Sequence, residues 1–280
     1  MKVDSPLHRR KCVFQLTGIL PILLLAALPL PSRSAEPVRS VSKQEATKVA
    51  PPITDPAKPA PLKLAADRPL VFIVDGAGDL HGCSNSLTKS FPTEVEFVPF
   101  SWSHGYRRIV IDQTDYKYAR QQGETLAESI LERQKKEPGR RVVLVAHSAG
   151  AAVALAAAEK LPKQSIDRFV LLAPSVSSQY NPLTAARSCK EGIDVFYSNK
   201  DIWALGVGIK IVGTTDDRRT SSAAGRVGFD MLKEDIAIRQ YGWMKDDAKL
   251  GHTGGHYGAY SPDYAKKYIL PMMLGKTESR

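Results

Sequence analysis

From Leu70 onward the large apolar residues come in short unbroken blocks. Leu70-Val71-Phe72-Ile73-Val74 is the first, closed by Asp75-Gly76-Ala77-Gly78, and Val95 to Phe100 follows, closed by Ser101-Trp102-Ser103-His104-Gly105. Arg141 to Ala146, Phe169 to Leu172 and Ile193 to Tyr197 repeat the pattern. Blocks this short, rich in branched and aromatic residues and apolar on both parities, predict strands buried on both faces. Between them lie stretches with helical spacing. Tyr118 to Lys136 sets Leu126 and Ile130 about one turn apart and stops at Pro138-Gly139, Ala149 to Leu161 is alanine-rich, and Ser261 to Leu274 forms the last such stretch. Strand and helix alternating in this way predict an α/β fold: a mostly parallel sheet flanked by helices on both faces. In such sheets ligands bind beyond the carboxyl ends of the strands, so chemistry is sought there.

The pattern before Leu70 is different. His8, Arg9, Arg10 and Lys11 precede an apolar run, Val13 to Leu30, and Ser32-Arg33-Ser34-Ala35 supplies small residues for a cut after Ala35. Residues 1–35 are therefore expected to be an export signal, giving a secreted or periplasmic protein. Gly18, Pro21 and Pro29 interrupt the run and weigh against the alternative, a retained membrane anchor. Residues 36–66, with Pro51-Pro52 and Pro56-Ala57-Lys58-Pro59-Ala60-Pro61, have the composition of an extended linker. The folded domain is expected to occupy residues 67–280.

Composition changes this picture little. The chain has 280 residues, 43% hydrophobic and 24% charged, which excludes collagen-like, coiled-coil and wholly disordered classes. Its net charge is +10, falling to +6 when Lys2, Arg9, Arg10, Lys11 and Arg33 leave together with Asp4. The excess is spread out and no recognition motif accompanies it, so no nucleic-acid partner is expected, while association with an acidic envelope surface through the N-terminal segment fits the charge. Export leaves Cys83 and Cys189 in an oxidising compartment, where a bridge between them is expected.

The strand ends carry the chemistry. Val145-Ala146-His147-Ser148-Ala149-Gly150 joins a buried strand to the alanine-rich helix, and its small residues suit a sharp turn that lifts the Ser148 hydroxyl above the sheet. A serine hydroxyl needs a base to act as a nucleophile, and that base needs an orienting acid. Asp201 lies just past the strand Ile193–Tyr197, whereas Ala173-Pro174-Ser175 offers no carboxylate and Asp216 and Asp217 sit in a polar loop that reads as solvated. His256 and His252, in a glycine-rich loop before the last helix, are the candidate bases; Gly255 beside it and the helix after it favour His256. The backbone N–H groups of Ala149 and Ala77 are the candidate oxyanion donors, with Gly76 next. A phosphate loop at Gly76–Gly78 is disfavoured because no G-K-[ST] follows, and Gly254-Gly255 speaks against a helical His pair binding metal. His104 and His147 either line the pocket or serve in packing.

Together these motifs resemble the α/β-hydrolase superfamily, and the Ala146-His147-Ser148-x-Gly150 elbow is similar to that of small secreted lipases and esterases. The resemblance spans about Leu70 to Leu274. It implies Ser148 as nucleophile, His256 as base and Asp201 as its orienter, acting on a small-molecule or lipid ester through an acyl-enzyme without cofactor or metal. The chain departs from the family pattern in two places. It starts at the family's third strand, which gives a minimal core, and the gap from Asp201 to His256 is long, with an inserted loop around residues 213–229. The competing expectation is a catalytically silent binding module on the same fold.

Overall fold

The computed structural model describes residues 68–208, 213–218, 222–230 and 237–276. The chain divides into two units, Met1–Lys58 and Pro59–Arg280, and every described residue belongs to the second. The expected export signal and linker lie outside the described residues.

Six strands form one sheet: β1 (Leu70–Val74), β2 (Glu96–Phe100), β3 (Val142–His147), β4 (Arg168–Leu172), β5 (Ile193–Tyr197) and β6 (Ile238–Gly242). Their order is β2-β1-β3-β4-β5-β6, and every neighbouring pair is parallel. The helices are α1 (Gly82–Ser90), α2 (Ile109–Thr114), α3 (Tyr116–Lys136), α4 (Gly150–Lys160) and α5 (Leu183–Ala186). A C-terminal helical stretch follows, in which the α-helical turns Pro262–Tyr264 and Leu270–Met273 flank a π-helical segment, Ala265–Ile269.

The unbroken apolar blocks are explained by burial on both sides. Side chains alternate along each strand, so Phe72, Leu144, Phe169 and Val195 face one core with α3 and α4. Val71, Ile73, Val143, Val170 and Phe196 face a second core with α1 and the C-terminal helix. Cys189 belongs to the first core and Cys83 to the second, and both are free thiols. The expected bridge is therefore corrected: the sheet stands between the two cysteines. Burial raises both thiol pKa values, that of Cys189 to about 12.

Chemistry and charge are segregated along the strands. At the amino ends sits an ion-pair network. Fully buried Asp194 meets Arg239 at 2.7 Å and Arg168 at 2.9 Å, Glu96 meets Arg140 at 2.7 Å, and Arg141 holds Glu191. The carboxyl ends carry the loops that bear the candidate site.

Candidate active site

Ser148 stands immediately after β3 with φ +54°, a left-handed conformation that a non-glycine residue adopts only under constraint. Three backbone bonds impose it. Ser148 N–H donates to Leu172 O at 3.1 Å, and Ser148 O accepts from Ala151 N–H and Ser175 N–H, each at 3.1 Å. Gly150 lets α4 approach β1: a Cβ there would lie 2.3 Å from Asp75 O and 2.7 Å from Val74 O. Small residues at the turn thus have a steric cause.

His256 Nε2 lies 2.8 Å from Ser148 Oγ, and His256 Nδ1 lies 2.6 Å from Asp201 Oδ2. A carboxylate only accepts, so Nδ1 carries the proton and donates to Asp201. Nε2 is then left with a lone pair for the Ser148 hydroxyl. Asp201 is buried, and its other oxygen accepts from Leu205 N–H at 3.4 Å. Ser198 Oγ–H donates to Gly254 O at 2.7 Å, tying the loop after β5 to the histidine loop. The structure therefore brings Ser148, His256 and Asp201 into one hydrogen-bonded chain.

His252 lies away from this chain. Its Nδ1 accepts from Gly254 N–H at 3.2 Å and its ring meets Tyr264 edge-on at 4.7 Å, so it packs beneath the loop that carries His256. His147 donates through Nε2 to the His256 carbonyl at 3.2 Å and lines the pocket. Burial, with the neighbouring His256 adding to it, drives the pKa of His147 well below the ordinary histidine range. Asp216 is not solvated as the sequence suggested: its side chain is nearly buried and accepts from Ser177 N–H at 2.8 Å.

The loop after β1 is pinned from three sides. Asp75 Oδ1 caps α1 by accepting from Cys83 N–H at 2.8 Å and Ser84 N–H at 3.1 Å, while Trp102 Nε1–H donates to Asp75 O at 2.8 Å. Asp112 of α2, wholly buried, accepts from Gly78 N–H at 2.7 Å, Ser103 Oγ–H at 2.5 Å, His104 N–H at 2.8 Å and the His104 ring at 2.9 Å. His104 thus serves the loop through Asp112. The clamp holds the loop that places Ala77 in the pocket wall. Among the described residues, neither the Ala77 nor the Ala149 N–H donates to a protein acceptor, and Ala77 lines the cleft. Asp112 escaped the sequence reading. Its one visible sign is the polar pair Asp112-Gln113 directly after Ile109-Val110-Ile111.

Above Ser148 opens a cleft of about 270 Å³. Ala77, Leu80, Val110, Leu205 and Tyr257 make its walls apolar, and Gln113 and Ser175 supply a polar corner. Ser175 Oγ lies 2.6 Å from Thr215 Oγ1, so that corner is tied to the segment at residues 213–218. Among the described residues no three acidic, histidine or cysteine side chains cluster as metal ligands would.

Residues 59–265 match the alpha/beta hydrolase family. The chain belongs to that family. The hydrolase also resembles solved structures at low identity. A lipase of Bacillus licheniformis, BlEst2, is 13% identical with a TM-score of 0.42, the match covering 78% of this chain and 96% of that one. A putative aryl esterase of Burkholderia cenocepacia is 11% identical with a TM-score of 0.44, covering 76% and 93%. The carboxylesterase CesB (YbfK) of Bacillus subtilis is 10% identical with a TM-score of 0.40, covering 75% and 85%. Likeness this distant says nothing of the hydrolase's substrate. No curated protein matches its sequence.

Proposed function

We propose that the chain is an exported serine hydrolase that cleaves carboxylic esters through an acyl-enzyme. The observation that carries this is the continuous hydrogen-bonded chain from Ser148 Oγ through His256 to Asp201, at 2.8 and 2.6 Å. His256 Nε2 takes the Ser148 proton as Oγ attacks the ester carbonyl, and Asp201 holds the ring in the tautomer that makes Nε2 the acceptor. The carbonyl oxygen, now anionic, meets the amides of Ala149 and Ala77, the first reinforced by the amino end of α4. His256 then gives its proton to the departing alcohol, takes one from a water whose oxygen attacks the acyl carbonyl, and passes it to Ser148 Oγ as the acyl–Oγ bond breaks and the acid leaves.

The size of the cleft suits a modest acyl or aryl group, and its walls suit an apolar one. Export rests on the basic stretch His8 to Lys11 and the apolar run before Ala35. The test is labelling of the full chain by a fluorophosphonate, which reacts only with an activated serine. Labelling is expected at Ser148 and is lost in both Ser148→Ala and His256→Ala. Absence of labelling in well-folded protein overturns the esterase in favour of a binding module.

A further inference from the structure

Helix α2 is built inside out. Its polar pair faces the interior, with Asp112 0% and Gln113 8% exposed, while Ile109, Val110 and Ile111 are 42%, 61% and 40% exposed. Tyr106, just before it, is 70% exposed. The inward half is explained, because Asp112 clamps the loop after β1 and Gln113 Nε2–H donates to Gly213 O at 3.2 Å. The outward half has no such explanation among the described residues. Exposed large apolar residues in a contiguous group mark a surface that another apolar phase covers.

Two further observations identify that phase. Arg107 and Arg108 lie inside the group, both exposed, and among the described residues neither forms an ion pair; Arg107 only leans over the Tyr106 ring. The carboxylates on the adjoining loops face histidines and not the arginines, Asp79 facing His81 at 3.1 Å and Asp115 facing His104 at 3.6 Å. The patch therefore pairs apolar side chains with two arginines that no described carboxylate holds, which complements the acyl region and headgroups of an anionic lipid layer. It also borders the mouth of the Ser148 cleft, which Ile109 and Val110 line and which exposed Leu80 and Tyr257 continue.

We propose that Tyr106 to Ile111 is a docking surface for anionic lipid layers, seating the cleft against the layer so that esters held in it reach Ser148. The choice of substrate rests on the esterase reading above; the docking itself does not depend on turnover. The arginines meet the headgroups while Ile109, Val110 and Ile111 enter the upper acyl region, and the clamp at Asp112 keeps these residues turned outward.

The test places an emitter at the centre of the patch, Val110→Trp, in the full chain. The emission added over the parent is followed with vesicles of phosphatidylcholine brominated along its acyl chains, with or without phosphatidylglycerol. Docking expects this added emission to shift to the blue and be quenched in the anionic vesicles. Replacing both arginines, Arg107→Ser with Arg108→Ser, is expected to weaken that partitioning roughly thirtyfold. Tyr106→Trp repeats the measurement on the same patch should Val110→Trp fold poorly. Emission left unquenched, or quenching indifferent to the arginines and to phosphatidylglycerol, overturns the proposal. Concentration-dependent dimerisation that buries the probe, and that Ile109→Ser with Ile111→Ser abolishes, also overturns it by making a second copy the occupant. Fluorophosphonate labelling of the parent protein separates the two claims. Labelled protein that ignores lipid keeps the esterase and loses the docking surface, and unlabelled protein that enters lipid does the reverse.

Discussion

Adjacent rings at the end of β3 and in the loop before the last helix have opposite requirements. His256 must exchange protons, while His147, with its ring centroid 4.7 Å away, is kept neutral by burial as it donates to the His256 carbonyl. The titratable groups around the His147 ring are His256, Tyr257 and Tyr260, none of them a carboxylate that would favour the cation. Its pKa lies well below that of the unfolded chain, so the unfolded state alone takes up a proton as pH falls below about 6.5. Stability is therefore expected to decline from about that pH down to the depressed folded pKa. Urea midpoints measured across this range should show the slope in the parent and a flatter line in His147→Gln. Asp112 offers a second expectation at this scale. It accepts from four donors, and an asparagine would present one acceptor and an unwanted donor to them. Asp112→Asn is expected to lower kcat by up to about 10²-fold with KM little changed, because the loop that holds Ala77 in its proposed oxyanion role loses its clamp. Steady-state kinetics on a soluble short-chain ester read both constants.

Helices α3 and α4 owe their closeness to what they lack. A Cβ on Gly123 would stand 2.6 Å from Ala156 Cβ and 2.7 Å from Val153 O, and nearly the whole of α4 is buried alanine, glycine and valine. Gly123→Val is expected to force the pair apart at a cost of about 1–3 kcal/mol, read as a lower urea midpoint at unchanged slope. The elements that the sequence shows plainly are those whose burial is complete. β1 and β5 fall where their apolar blocks predict, β3 is shifted by a residue, β4 begins a residue earlier, and α3 and α4 follow their helical spacing. α1, reading GCSNSLTKS, and β6, reading IRQYG, carry no such pattern. The first is held by the Asp75 carboxylate at its amino end, and the second is an edge strand packed on one side by β5. α2 is illegible for the opposite reason, since its apolar residues point outward. Ser148, Asp201 and His256 were visible because the elbow and the chain order of the three leave a linear trace. The Asp112 clamp, made largely of backbone donors, leaves almost none.

Across the whole molecule the sheet acts as a partition. Cys83 and Cys189 lie in separate cores, so no oxidant can join them without unfolding. Both thiols are expected to resist alkylation in the native chain, to react after denaturation, and to leave the melting temperature unchanged by reductant; peptide mapping of the alkylated sites checks each. The two ends of the strands also differ in how they are fastened. The amino ends are closed by ion pairs converging on Asp194, Glu191 and Glu96, several of them two-pronged. At the carboxyl ends, the loop that carries His256 is tied to its neighbours by separate single hydrogen bonds, among them His147 to the His256 carbonyl and Ser198 to Gly254. Warming therefore separates two events. The end that performs the reaction loosens while the opposite end still holds, so turnover fades below the temperature at which the fold melts and returns on cooling. That ordering makes brief heat an interruption rather than a loss.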